Sequence, residues 1–120
     1  MDTQQLFHVV DRAFYPVLAL LVLFRLKAVW VSLLGLVVFV HLAKMVVQRR
    51  RPDGSDNFSF PSGHTAVSWL MAHAYRWNPL VVVWAGIVSV SRVILRRHYP
   101  SDVVAGAITG VLFGRVSLAS

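Results

Sequence analysis

No cysteine occurs among the 120 residues, which excludes disulfides and thiolate metal sites. Acidic side chains are nearly as scarce, 5 against 12 lysines and arginines, leaving a formal charge of +7. A chain so short of carboxylates has little to offer a cation and much to offer an anion, whether lipid headgroup, phosphate or nucleic acid. Charged residues of both signs make up only 14%, while 57% are hydrophobic. That balance excludes an ordinary soluble domain and points to a small membrane protein. Internal repeats and low-complexity stretches are also lacking. The first residues (Asp2, Gln4, Gln5) are polar and acidic rather than basic, unlike a cleavable signal peptide.

What is present is a series of apolar runs with cations at their ends. The arginines do not form a polar basic face interleaved with aromatics, which argues against nucleic acid as the partner. The run from Ala13 to Phe24 predicts a first helix, long enough to cross a bilayer once the turns from Leu6 to Arg12 are added. Pro16 is placed in its first turn, where proline is tolerated. Arg25 and Lys27 predict a loop, and Ala28 to Val47 the clearest span, with Trp30 as an interfacial anchor. Arg49-Arg50-Arg51-Pro52 ends it. A polar, turn-rich loop follows. Further helices are predicted over Thr65–Trp77, Leu80–Leu95 and Ser101 to about Leu118, the third and fourth short for an upright span. The expectation is an all-α membrane bundle of about five helices, a single domain over residues 1–120. Its core is placed at 28–118, with residues 1–27 as an N-terminal helix and loop.

In the last helix Asp102, Gly106, Gly110 and Gly114 recur every four residues and share a slowly drifting face. Such small-residue stripes let another membrane helix approach closely, so Asp102 should point into the bundle.

Three segments carry the residues suited to chemistry. Lys44 and Arg51 are two helical turns apart on one face. Ser62-Gly63-His64 stands where a helix begins, with Ser62 a suitable N-cap and the free N–H groups favouring an anion. Gly63 lets a ligand come near the backbone. Arg92, His98 and Asp102 flank the junction before the last helix. If the helices alternate in direction, all three segments meet on one side of the membrane. The cations Lys44, Arg51 and Arg92 would repel a divalent metal, and no H-E-x-x-H spacing exists. They suit a phosphate dianion instead. One histidine could attack phosphorus while the other protonates the departing oxygen; the residues alone leave open which does which. Asp102, four residues after His98, is placed to accept a hydrogen bond from one of its ring nitrogens.

The runs K-x6-R-P at Lys44–Pro52, P-S-G-H at Pro61–His64 and S-R-x5-H-x3-D at Ser91–Asp102, in that order, resemble the signature of the type 2 phosphatidic acid phosphatase superfamily. That superfamily also contains bacterial acid phosphatases and vanadium haloperoxidases. The resemblance implies hydrolysis without a metal or other cofactor, through a phosphohistidine on His98 oriented by Asp102, with His64 as general acid. It further implies phosphoryl binding by Lys44, Arg51, Arg92, Ser62 and Gly63. Membrane members typically have six transmembrane helices, so this chain is one N-terminal helix short of the pattern. The expected substrate is a lipid phosphate or polyprenyl diphosphate, and the expected place a bacterial plasma membrane with the site at its outer face. Membrane lipids and a second copy of the chain are the other partners considered. Two alternatives are a vanadate-dependent haloperoxidase, disfavoured by the short apolar chain, and a non-catalytic headgroup binder, disfavoured by the complete set of side chains.

Outside the motifs, His8, His41 and His73 are expected to be structural or interfacial. Arg49, Arg50, Arg96 and Arg97 are expected to contact headgroups or signal topology. Trp30, Trp69, Trp77 and Trp84 are expected to serve packing or the membrane belt. Tyr99 has no assigned role.

Overall fold

A computed structural model describes residues 2–117, the side chains of Ala28 and Ser117 aside. Five helices follow one another, α1 (Thr3–Phe24), α2 (Leu26–Val47), α3 (Gly63–Ala74), α4 (Pro79–Ile94) and α5 (Pro100–Ser117), with no strand among the described residues. The all-α expectation holds. Leu118, the expected end of the last helix, lies outside the described residues.

The first helix begins ten residues earlier than its apolar run, because Asp2 and Gln5 form a capping box. Asp2 Oδ1 accepts from the Gln5 N–H at 2.7 Å, and Gln5 Oε1 accepts from the Asp2 N–H at 2.9 Å. Pro16 therefore lies inside the helix rather than in its first turn. The loop expected at Arg25 and Lys27 shrinks to Arg25 alone, which ends α1 and starts α2; Lys27 is already helical. Gln48, in the left-handed region at φ 52°, stops α2 just before the arginine run.

Ser62 caps α3 as expected, its Oγ accepting from the Thr65 N–H at 3.3 Å. That helix ends at Ala74, three residues short of expectation, because Arg76 and Trp77 turn left-handed. Asn78 then caps α4, accepting from the Leu80 N–H at 2.9 Å, and Pro79 takes the first helical position.

α1 and α2 are long and apolar enough to cross a membrane. α3, with 12 residues, reaches only about 18 Å. It forms the centre of the bundle, and Thr65 to Ser68 and Leu70 to Ala72 are all buried. Around it the core divides in two. Phe14, Leu36, Val40, Val67, Leu70 and Val88 fill the half nearer the start of α3, and Val29, Met71, Ala72, Val81 and Ala85 the other half. Large apolar side chains such as Leu20, Leu34, Val46, Leu80, Val83 and Leu112 cover the outside.

The glycine stripe sets the α3–α5 contact. A Cβ on Gly106 would stand 2.5 Å from the Ser62 carbonyl oxygen, and one on Gly110 would stand 2.1 Å from that of Ala66. One on Gly114 would meet the His73 ring at 2.9 Å. The two backbones thus touch where a side chain would hold them apart. Asp102, at the head of the stripe, is fully buried, as its position predicts.

Candidate active site

A cavity of about 420 Å³ opens where α1, the end of α2, the start of α3 and the α4–α5 junction meet. Lys44, Arg51, Gly63, His64, Arg92 and His98 all line it, so six of the eight residues singled out from the sequence share one space. Ser62 and Asp102 do not line it; both are buried behind it, in the framework that holds the other six.

Each cation is set differently. Lys44 Nζ donates to the carbonyls of Phe58 and Pro61, both at 2.7 Å, and so fastens the α2–α3 loop. Arg51 Nε donates to Asp56 Oδ1 at 2.7 Å. Its Nη1 lies 3.1 Å from both the Arg97 carbonyl and His98 Nε2. Arg92, 4% exposed, is ion-paired with Asp11 of α1. Its buried Nε has no hydrogen-bond partner among the described residues. A buried guanidinium with an unpaired donor, on a residue that lines a cavity, suits an anionic oxygen.

His98 stands in the non-helical junction with Nδ1 2.7 Å from the Ser59 carbonyl oxygen. Because a carbonyl can only accept, Nδ1 carries the proton and Nε2 keeps its lone pair. Burial, then the nearby Arg92 charge, hold the imidazolium form down to a pKa of about 3. His64, at the second position of α3, packs its ring on Phe14 with centroids 4.1 Å apart, and Tyr15 closes the edge.

The hydrogen bond expected between His98 and Asp102 is not made. Helical i to i+4 spacing does not apply across residues 95–99, where the chain leaves α4 and Arg96 turns left-handed at φ 59°. Asp102 instead reaches back to the start of its own helix, where Oδ2 accepts from the Tyr99 N–H at 2.8 Å. The same oxygen accepts from Ser59 Oγ, and Oδ1 accepts from Arg49 Nη1 at 3.1 Å.

Several participants escaped the sequence reading. Arg49 ties the exit of α2 to Asp102 at the start of α5. It also donates to Ser101 Oγ at 2.6 Å and stands 4.1 Å from the centre of the Tyr99 ring, which gives Tyr99 a role. Arg97 lines the cavity while its Nη1 donates to Asp53 and Ser55. His41 also lines it, with Nδ1 2.8 Å from the Val37 carbonyl. Of these, only His41 carried a legible signal, one helical turn before Lys44.

The profile of the PAP2 superfamily matches residues 25–120. This chain belongs to that superfamily. Its cavity residues from α2 onward all fall within the matched part of the PAP2 chain, whereas Phe14, Tyr15 and Leu18 of α1 precede it. Among curated relatives, it is 34% identical over 86 residues to a lipid A 1-phosphatase of Porphyromonas gingivalis, covering 64% of this chain and 19% of that protein. It is 38% identical over 88 residues to a decaprenylphosphoryl-5-phosphoribose phosphatase of Mycobacterium tuberculosis, 62% of this chain and 49% of that one. A lipid A 4'-phosphatase of Bacteroides thetaiotaomicron is 42% identical over 72 residues, 54% and 31% of the two chains. The matched part thus spans half or less of each of these relatives. No solved structure gives a significant match to the PAP2 chain.

Proposed function

We propose that this PAP2 chain is an integral membrane phosphatase that removes the terminal phosphate of a lipid phosphate or polyprenyl diphosphate through a phosphohistidine on His98. The observation that carries the reading is a cavity with both cationic and apolar lining. Lys44, Arg51, Arg92 and Arg97 line it together with His64 and His98. Leu18, Leu33, Val37, Val40 and Val67 are among its apolar lining residues. Leu33, Val37, Val40 and Lys44 follow one another along α2, so the apolar lining reaches about 16 Å along that helix from the lysine. A phosphate at the charged end would leave the first part of an apolar tail against aliphatic side chains. The names of the relatives, lipid A phosphatases and a polyprenyl-phosphate-sugar phosphatase, favour that substrate class.

In the proposed reaction the Arg51 and Arg92 guanidiniums and the Lys44 ammonium hold the phosphoryl oxygens. Arg51 leaves His98 Nε2 for the anion. The Nε2 lone pair forms a bond to the terminal phosphorus, and the bond from that phosphorus to the lipid oxygen of a monophosphate, or to the bridging oxygen of a diphosphate, breaks. The departing oxygen takes a proton from the His64 imidazolium, a form that the bound phosphate dianion favours, and that ring becomes neutral. Water, deprotonated by the now neutral His64, then attacks the phosphohistidine, breaking the P–N bond, releasing phosphate and restoring the neutral His98 ring and the His64 imidazolium.

Phosphate release from a small set of lipid phosphates in detergent tests the reading. His98→Ala and Arg92→Ala should each abolish release in folded protein, and acid-labile phosphate should appear on wild-type protein but not on His98→Ala. Unchanged turnover in either variant overturns it. The site is assigned to the outer face of the bacterial plasma membrane, in keeping with the family resemblance. Since the chain has no cysteine, labelling of Ser55→Cys by an impermeant maleimide in intact cells reads that orientation directly.

A further inference from the structure

Ser59 belongs to none of the three signature runs and is fully buried, beside the nucleophile candidate. It is held at three of its atoms. Its N–H donates to the Arg49 carbonyl at 2.9 Å, tying it to the exit of α2. Its hydroxyl donates to Asp102 Oδ2 at the start of α5. Its carbonyl faces His98 Nδ1 at 2.7 Å in the α4–α5 junction. Asp102 is fixed in turn by Arg49 and by the Tyr99 N–H, so the carboxylate is a rigid anchor.

From this arrangement we infer that Ser59 is the positioning residue of the nucleophile. Its carbonyl sets the tautomer and aim of His98, and Asp102 acts on His98 through the Ser59 hydroxyl rather than by touching the ring. A hydroxyl serves here because the position needs a donor to a buried carboxylate beside a backbone acceptor, within one residue. Alanine would leave Asp102 Oδ2 with one donor fewer and release the carbonyl from one of its anchors. Threonine keeps the hydroxyl. Of the phosphate-binding cations Arg51 also meets the ring, at Nε2, but none donates to Ser59, so the Nδ1 side of the ring is held apart from the anion site.

The inference rests on the proposed phosphatase reaction for its kinetic arm but not for its spectroscopic one. Nitrogen-15 shifts of the imidazoles, with His98 assigned by the signal lost in His98→Gln, report the protonated nitrogen in protein that turns nothing over. Wild-type protein should show His98 with a protonated Nδ1 and a bare Nε2, and Ser59→Ala should show a mixture of tautomers. In turnover, Ser59→Ala should lower kcat about 10- to 100-fold, the usual effect of losing a partner that orients a histidine. Its inhibition by vanadate, used as a phosphate mimic, should change less than about twofold, because the cations that bind the anion stay in place. Ser59→Thr should recover most of kcat, and Ser59→Ala combined with Asp102→Asn should be no slower than Asp102→Asn alone. A wild-type His98 protonated at Nε2 overturns the inference even if Ser59→Ala fails to fold. So do unchanged His98 shifts in Ser59→Ala, wild-type kcat in that variant, or losses that multiply in the double variant. A wild-type protein that releases no phosphate from any lipid defeats the phosphatase reading instead and leaves the tautomer result to decide on Ser59.

Discussion

Arg92, near the end of α4, donates through Nη1 to Oδ1 of Asp11 in α1, 81 residues away in the chain. The guanidinium is buried and the carboxylate about one-third exposed, so the first helix supplies a counter-charge to a cation that lines the cavity. That carboxylate occupies the cation a phosphate would need.

Asp11→Asn should therefore have two opposite effects. Without added anion the protein should be less stable by about 1–3 kcal/mol, because a buried guanidinium loses its partner while the exposed side of the pair was partly screened. Inorganic phosphate should bind about 3- to 10-fold more tightly, since no carboxylate competes for Arg92, and should restore the lost stability. Thermal unfolding in detergent with and without phosphate, together with titration calorimetry, checks both.

Two glycines should respond in opposite senses. Gly110→Ala should weaken the α3–α5 contact by at least about 1–3 kcal/mol, because its Cβ would stand 2.1 Å from the Ala66 carbonyl oxygen. Gly86→Ala, in mid-α4 with nothing within 4 Å of the new Cβ, should stabilise by about 0.5–1 kcal/mol through helix propensity. Unfolding of the two variants side by side, in the same detergent, reads the difference.

Lys44 serves the loop as well as the anion. Lys44→Met keeps the aliphatic stem but leaves the Phe58 and Pro61 carbonyls without their donor. A loss of about 1–3 kcal/mol in stability should accompany the weaker phosphate binding. An unfolding midpoint equal to wild type would mean that these two bonds contribute nothing to the folded state.

His98 gives the fold a pH dependence. Its folded pKa is depressed to about 3 from 6.5, so the neutral ring is favoured and its contribution is complete above about pH 6.5. As pH falls from there towards 3, the unfolded chain takes up the proton first and stability declines. Wild-type protein should lose more stability between pH 7.5 and pH 4.5 than His98→Gln, which cannot titrate. Arg92→Gln should raise the His98 pKa, since the Arg92 charge is the largest influence on it after burial; NMR titration measures this.

The local grammar of this chain was legible without coordinates. Apolar runs placed five helices, Ser62 capped the third, and glycines four apart put Asp102 inside, because helix periodicity and capping depend on neighbours a few residues away. The motif residues were legible by spacing as well, and six of the eight line one cavity. The helix starts and stops that were missed turned on single residues: Asp2 with Gln5 at the start of α1, Arg25 alone between α1 and α2, and the left-handed pair Arg76 and Trp77.

Only the tertiary structure decided which group holds which. A spacing of four residues suggested that Asp102 meets His98, but that distance has meaning only along a continuous helix, and His98 stands in the junction before α5 begins at Pro100. The Asp102 carboxylate turned back to Tyr99, and a serine from a distant loop took its place at the ring. The pairing of Asp11 with Arg92 depends on how α1 is rotated against α4, and Arg49 meets Asp102 because the exit of α2 passes the start of α5. Hydropathy sets where a helix lies along the chain; the contacts among its polar side chains are fixed by packing between segments that no local pattern connects.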